Sequence, residues 1–121
     1  MQQKKIVVQI IGTKKCKETA KALRYFQERG IQPAFLDLKE KPLSKGELEN
    51  ITKVIKIEDL LDKTSKEYEK QNLKYMQFNI FEKLLEFPLL IKTPILRYGK
   101  KAILGYVPER FEEIVKDIKG L

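Results

Sequence analysis

The sequence has no histidine, and its 121 residues include a single cysteine, Cys16. Without histidine, Ser/His/Asp and Cys/His catalysis each lack a member, and a zinc cluster lacks its usual ligands. One thiol cannot close an internal disulfide. Residues 1–15 lack the long apolar run and small-residue cleavage site of a secretory signal, so a cytoplasmic, reducing location is expected. The most apolar stretches, residues 6–11 and 87–91, fall far below the roughly 20 residues that a membrane-spanning helix needs, and no membrane association is expected. There is no Gly-rich phosphate loop, internal repeat, low-complexity segment or interdomain linker. No metal site is expected.

Charge is what the chain has in quantity: 25 Lys and Arg against 17 Asp and Glu, a formal +8. The surplus favours anionic partners such as nucleic acid, an acidic protein surface or an anionic thiol like glutathione. Its distribution is less pointed, because lysines alternate with glutamates, as in Lys39-Glu40-Lys41, in the manner of a solvated surface. No compact basic helix or basic-aromatic ladder appears, so direct nucleic-acid binding is not expected. The length suits one domain over residues 1–121 with one core.

Residues 6–11, Ile-Val-Val-Gln-Ile-Ile, form a β-branched run ended by Gly12-Thr13 and read as a buried central strand followed by a turn. A helix over residues 16–29 follows, with Ala20, Leu23 and Phe26 inward and Gly30 ending it. Residues 33–38 read as a second strand, which makes a parallel βαβ opening. Ser44 with Glu47 matches a capping box, and Leu48, Ile51, Val54 and Ile55 form an apolar stripe behind it. Short helices are expected at 57–61 and 79–87, with residues 63–72 helix or loop. Residues 94–98 and 101–105 read as a hairpin turning near Gly99. Pro108 opens a last helix whose inward face is Phe111, Ile114, Val115 and Ile118. The fold class is α/β: β-α-β, a helical insert at about 44–87, then β-β-α, with a central mixed sheet flanked by helices.

Cys16 falls where the first strand passes into the first helix. Unpaired N–H groups and the helix dipole favour negative charge there, and Lys14, Lys15 and Lys17 surround it. A free thiol, with a pKa of about 8.5, is mostly protonated at neutral pH, and lowering that value by about two units makes the thiolate the major species. Lone cysteines are commonly inert core residues. Here the apolar face of the helix is already supplied by other residues, and an exposed, cation-flanked thiol reads as a nucleophile. Thr13 and Thr19 read either as hydroxyl donors near the sulfur or as ordinary helix-start residues.

Residues 10–19, residues 38–48, residues 88–95 and the order of elements together resemble the ArsC/Spx family, whose members have a thioredoxin-like, glutaredoxin-related fold. The likeness spans nearly the whole chain and includes the helical insert. It implies a thiol-redox protein in which Cys16 is catalytic: a glutathione- or thiol-dependent, arsenate reductase-like oxidoreductase. Cys16 matches the first position of a Cys-x-x-Cys motif and Thr19 stands at the second, so a resolving thiol must come from outside. No bound cofactor is implied; glutathione or another thiol, or a redox protein, is the implied co-substrate or partner. Thr93-Pro94 matches the fold's cis-proline site; without the resemblance, Pro94 reads as a strand-start proline. Thr13, Lys14, Lys15, Lys17, Thr19, Thr93, Pro94 and Arg97 make up the candidate substrate- and thiol-binding set. Arsenate reductases of the family hold the oxyanion with three arginines; the matching positions here are Asp62, Thr93 and about Gly105, so the usual arsenate chemistry is not expected. The alternative implied by the resemblance is a Spx-like regulator that binds RNA polymerase.

Overall fold

The computed structural model describes residues 7–120. Four short strands, β1 (Gln9–Gly12), β2 (Ala34–Asp37), β3 (Ile95–Tyr98) and β4 (Lys101–Leu104), form a sheet in the order β2-β1-β3-β4. β1 and β2 are parallel, joined by helix α1 (Lys17–Gln27), while β3 runs antiparallel to both β1 and β4. Helices α2 (Lys45–Thr52), α3 (Ile57–Leu60), α4 (Lys66–Lys70) and α5 (Ile80–Glu86) fill the stretch between β2 and β3, and α6 (Pro108–Lys119) ends the fold. This is the expected thioredoxin-like α/β arrangement, with a mixed sheet and a helical insert. Among the described residues no helix is long and apolar enough to cross a membrane.

Alternation along the strands divides the core in two. Ile10, Leu96 and Ile103 are neighbours in register and pack with Ala22, Tyr25 and Phe26 of α1 and Phe111, Ile114 and Val115 of α6. Ile11 and Ile95 face the other way, onto Leu48, Ile51, Leu60 and Leu84 of the insert. The insert is tied down beside the start of β3: Leu61 bridges Ile91, the Lys92 N–H donates to the Leu60 carbonyl at 2.7 Å, and the Asp62 N–H donates to the Leu90 carbonyl at 2.8 Å.

Several boundaries and faces differ from the sequence reading. Ile6 lies outside the described residues, and Gly12 is the last residue of β1 rather than part of a turn. In α1 the buried residues are Thr19, Ala22, Tyr25 and Phe26, while Ala20 is exposed. Ala20 has the right spacing to Leu23, but the helix is rotated so that its larger side chains, Tyr25 and Phe26, meet Phe111 with ring centroids 5.5 and 5.4 Å apart. The capping box at Ser44 forms as expected, whereas α2 ends at Thr52, so Val54 lies beyond it and is 50% exposed. Part of the 63–72 stretch is helical, as α4, with Ser65 as its N-cap. Ile118, expected inward, is 37% exposed on the last turn of α6.

Candidate functional site

β1 delivers the chain to one end of the sheet, and the turn that follows brings Cys16 to the start of α1. The Cys16 N–H donates to the Thr13 carbonyl at 3.2 Å, and the Cys16 carbonyl accepts the first helical bond, from Ala20, at 3.1 Å. Cys16 is the N-cap residue, with an extended backbone, and its side chain makes no capping bond in the thiol form. The sulfur is neither buried in the core nor fully open. Its S–H donates to the Thr93 carbonyl, 3.8 Å away and 77 residues along the chain. The Thr93–Pro94 peptide bond is cis, and the Pro94 carbonyl accepts from the Gly105 N–H at 2.8 Å. Three segments thus meet at one end of the sheet: the β1–α1 turn, the Thr93-Pro94 step, and the end of β4.

Partial burial pushes the Cys16 thiol up. Hydrogen bonds to the ionised sulfur from the Thr19 and Thr93 side chains, and from the backbone N–H groups of Thr19 and Glu18, outweigh that cost, so the thiol lies below its ordinary value. An N-cap side chain is placed to accept from the N–H groups of the first turn, and ionised sulfur is a far better acceptor than a thiol. Lys14, Lys15 and Lys17, named from the sequence as tuning the thiolate, are exposed and are not among the groups that lower it. Charges on mobile side chains in water are screened, whereas the hydroxyls and N–H groups are fixed against the sulfur.

Of the other candidates, Thr13 accepts the turn bond through its carbonyl. Thr19 is 1% exposed, and Pro94 is buried beside Thr93. Arg97 is a correction. It stands in register with Gln9, three residues back from the Gly12 end of β1, which is about 10 Å along a strand. It shares a sheet face with Ile95, toward the insert, and its guanidinium reaches Gln9 Oε1 at 3.4 Å and Glu47 Oε2 at 3.9 Å. It therefore does not join Cys16. Asp62 Oδ1 accepts from the Thr64 N–H at 3.0 Å and the Thr64 hydroxyl at 2.6 Å, so its carboxylate closes its own turn. Among the described residues, no three His, Cys, Asp or Glu side chains come together as a metal-binding group. The meeting of Cys16 with Thr93 across 77 residues follows the resemblance and has no local signal; that the Thr93 side chain also favours the ionised sulfur was missed in the sequence.

Comparison with known proteins places this arrangement. A family model described as the ArsC family matches residues 11–114. An arsenate reductase from Haemophilus influenzae is 31% identical over 83% of this chain and 91% of its own length. The global transcriptional regulator Spx 2 from Oceanobacillus iheyensis is 29% identical over 84% of this chain and 78% of its own. The solved structure of an arsenate reductase from Vibrio cholerae superposes with a TM-score of 0.76 at 25% identity, covering 90% of this chain and 98% of that one.

Proposed function

The chain belongs to the ArsC family, and from that premise we propose that it is a single-cysteine thiol-redox protein whose nucleophile is Cys16 and whose resolving thiol comes from a second molecule. The observation that carries this reading is the setting of the sulfur, at a helix start, beside Thr93, with fixed donors that favour its ionised form. The exchange balances without any further oxidant or reductant. The Cys16 thiolate attacks the glutathione sulfur of a mixed disulfide; a Cys16–glutathione S–S bond forms, and the substrate sulfur leaves as a thiolate and takes up a proton. A second glutathione thiolate then attacks the bound glutathione sulfur, which releases Cys16 as a thiolate and yields glutathione disulfide. Another low-molecular-weight thiol or the cysteine of a redox protein serves in the same role. Arsenate reduction in the usual manner is left out of the proposal, because Asp62, Thr93 and Gly105 stand where the resemblance places arginines, and arginine's planar fork of donors is what suits an oxyanion.

The test is the rate of Cys16 alkylation by iodoacetamide against pH, with mass analysis after exposure to glutathione disulfide. The expected result is a titration midpoint below that of a free thiol and one glutathione adduct per chain. An ordinary midpoint together with no adduct refutes the reading.

A second reading, a Spx-like regulator that docks on RNA polymerase, is favoured by one feature besides the Spx relative. A hollow of about 450 Å3 lies between the end of α2 and the β3–β4 hairpin, lined by Lys53, Arg97, Lys100 and Lys101 around Val54 and Ala102. Arg97 is paired with Glu47, and among the described residues the other three have no ion-pair partner. A basic hollow with an apolar floor suits an acidic protein surface. Retention of RNA polymerase subunits by both the wild type and Cys16→Ser supports this reading, and retention by neither removes it.

A further inference from the structure

We propose that Thr19 is the positioning residue that makes Cys16 a thiolate, its hydroxyl being held without a partner for the ionised sulfur. The inference rests on the redox reading and concerns the same sulfur. Thr19 is 1% exposed, and its Oγ1 is buried with no hydrogen-bond partner while Cys16 is a thiol. Folds ordinarily avoid an unpaired buried hydroxyl, so its presence beside a reactive group calls for an explanation. A threonine within a helix can usually bond back to a carbonyl one turn earlier. Thr19 sits at the third helical position: the residue four back is Lys15, outside the helix, and the hydroxyl does not take the Cys16 carbonyl three back, which accepts from the Ala20 N–H.

The surroundings hold the hydroxyl in place. Cys16 is the N-cap, three residues before Thr19, so the Thr19 N–H and hydroxyl are first-turn groups within reach of the ionised sulfur. On its other side Thr19 lies against Gly12, so closely that a Cβ there would come within 2.3 Å of Oγ1 and 2.6 Å of Cγ2. Thr19 is wedged between the strand end and the helix start and cannot swing into solvent. In the resting thiol the S–H points elsewhere, to the Thr93 carbonyl. When the proton leaves, the sulfur has nothing to donate, that carbonyl no longer attracts it, and the waiting Thr19 hydroxyl gains its acceptor. A hydrogen bond made in one protonation state and absent from the other acts wholly on the ionisation equilibrium. The hydroxyl is also the foremost of the groups that lower the thiol. In this chain the second position of the Cys-x-x-Thr motif therefore activates the nucleophile instead of resolving its disulfide.

The experiment titrates the thiolate of the full chain by its ultraviolet absorbance, in the wild type, Thr19→Val and Thr19→Ser. Valine keeps the shape and removes the donor, and the midpoint is expected to rise by about one to two pH units. Serine keeps the donor and is expected to titrate close to the wild type. A valine variant with the wild-type midpoint, or a serine variant displaced as far as valine, overturns the proposal. Should valine prevent folding, Thr19→Ala against Thr19→Ser makes the same comparison. An ordinary midpoint in the wild type sinks the redox reading itself, whereas a low wild-type midpoint that valine leaves unchanged sinks the role of Thr19 alone.

Discussion

Alanine at position 12 isolates the packing on which the site rests. Its Cβ would lie 2.3 Å from Thr19 Oγ1, 2.6 Å from Cγ2 and 3.0 Å from Cβ, where carbon atoms ordinarily stay about 3.5 Å apart or more. Rotating the Thr19 side chain cannot clear the overlap, because its Cβ does not move with χ1 and a β-branched residue carries two γ atoms. Nor is Gly12 free to retreat: it pairs in register with Asp37, and its carbonyl accepts from the Leu38 N–H at 2.9 Å. The start of α1 must shift instead. Overpacking of this kind costs about 1–3 kcal/mol, which for a chain of 121 residues lowers the melting temperature by about 4–12 °C. The assay is a set of thermal melts on the wild type, Gly12→Ala, Thr19→Ala and the double variant. Alanine at 19 removes the two nearest contacts and leaves the one at 3.0 Å, so Gly12→Ala should cost less in that background, by about 1 kcal/mol or more. A Gly12→Ala protein that melts within about 1 °C of the wild type, or a double variant that merely adds the two single effects, refutes the reasoning.

Two further expectations concern pH. The Ser44 N–H donates to Glu47 Oε1 at 2.9 Å, and the Glu47 N–H donates to Ser44 Oγ at 3.1 Å. That backbone bond from Ser44 is the first cause holding the Glu47 carboxyl below its usual value; burial opposes it, and the Ser44 hydroxyl, Arg97 and Lys41 assist. A depressed carboxyl stabilises the fold above its unfolded value of about 4.3 and loses that contribution as pH falls through the folded one. Glu47→Gln should therefore melt about 2 °C lower at neutral pH, about 0.5 kcal/mol, and match the wild type in acid; an equal deficit at both pH values counts against the account. The Tyr98 hydroxyl donates to Asp117 Oδ2 at 2.5 Å, joining β3 to α6. This bond foremost, then burial, then the Asp117 charge hold the Tyr98 phenol above its ordinary value, so its contribution is whole below about pH 10 and is lost as pH rises through the folded value. Tyr98→Phe should cost about 1 kcal/mol in urea melts at neutral pH, with the gap closing in strong alkali; no loss at neutral pH refutes the role of the bond.

Most of the element order was legible because each segment carries its own local signal. The β-branched run ending in β1, the Ser44 and Glu47 pair, the Gly99 turn and Pro108 at the start of α6 all act over a few residues, and each appears where expected. What misled was the choice of face. Over residues 17–27 Leu23 and Phe26 fit an inward stripe either with Ala20, as expected, or with Thr19 and Ala22, as found, and periodicity alone does not choose between them. The choice falls to contacts outside the helix: Phe111 of α6 takes the rings of Tyr25 and Phe26, and Gly12 of β1 leaves the space that Thr19 fills. The same reason placed Arg97 wrongly, since nearness in sequence to Pro94 says nothing about which face of β3 it takes or which end of β1 it lies beside. Lysines around Cys16 are conspicuous in the sequence, yet a field from exposed ammonium groups is weak in water. The groups that favour the thiolate are two threonine hydroxyls and two backbone N–H groups, and such groups act only where the fold aims them. A cysteine at the start of a helix is therefore half of the signal. The other half is a glycine at the end of the preceding strand, because without that missing Cβ the threonine three residues after the cysteine could not be buried against it.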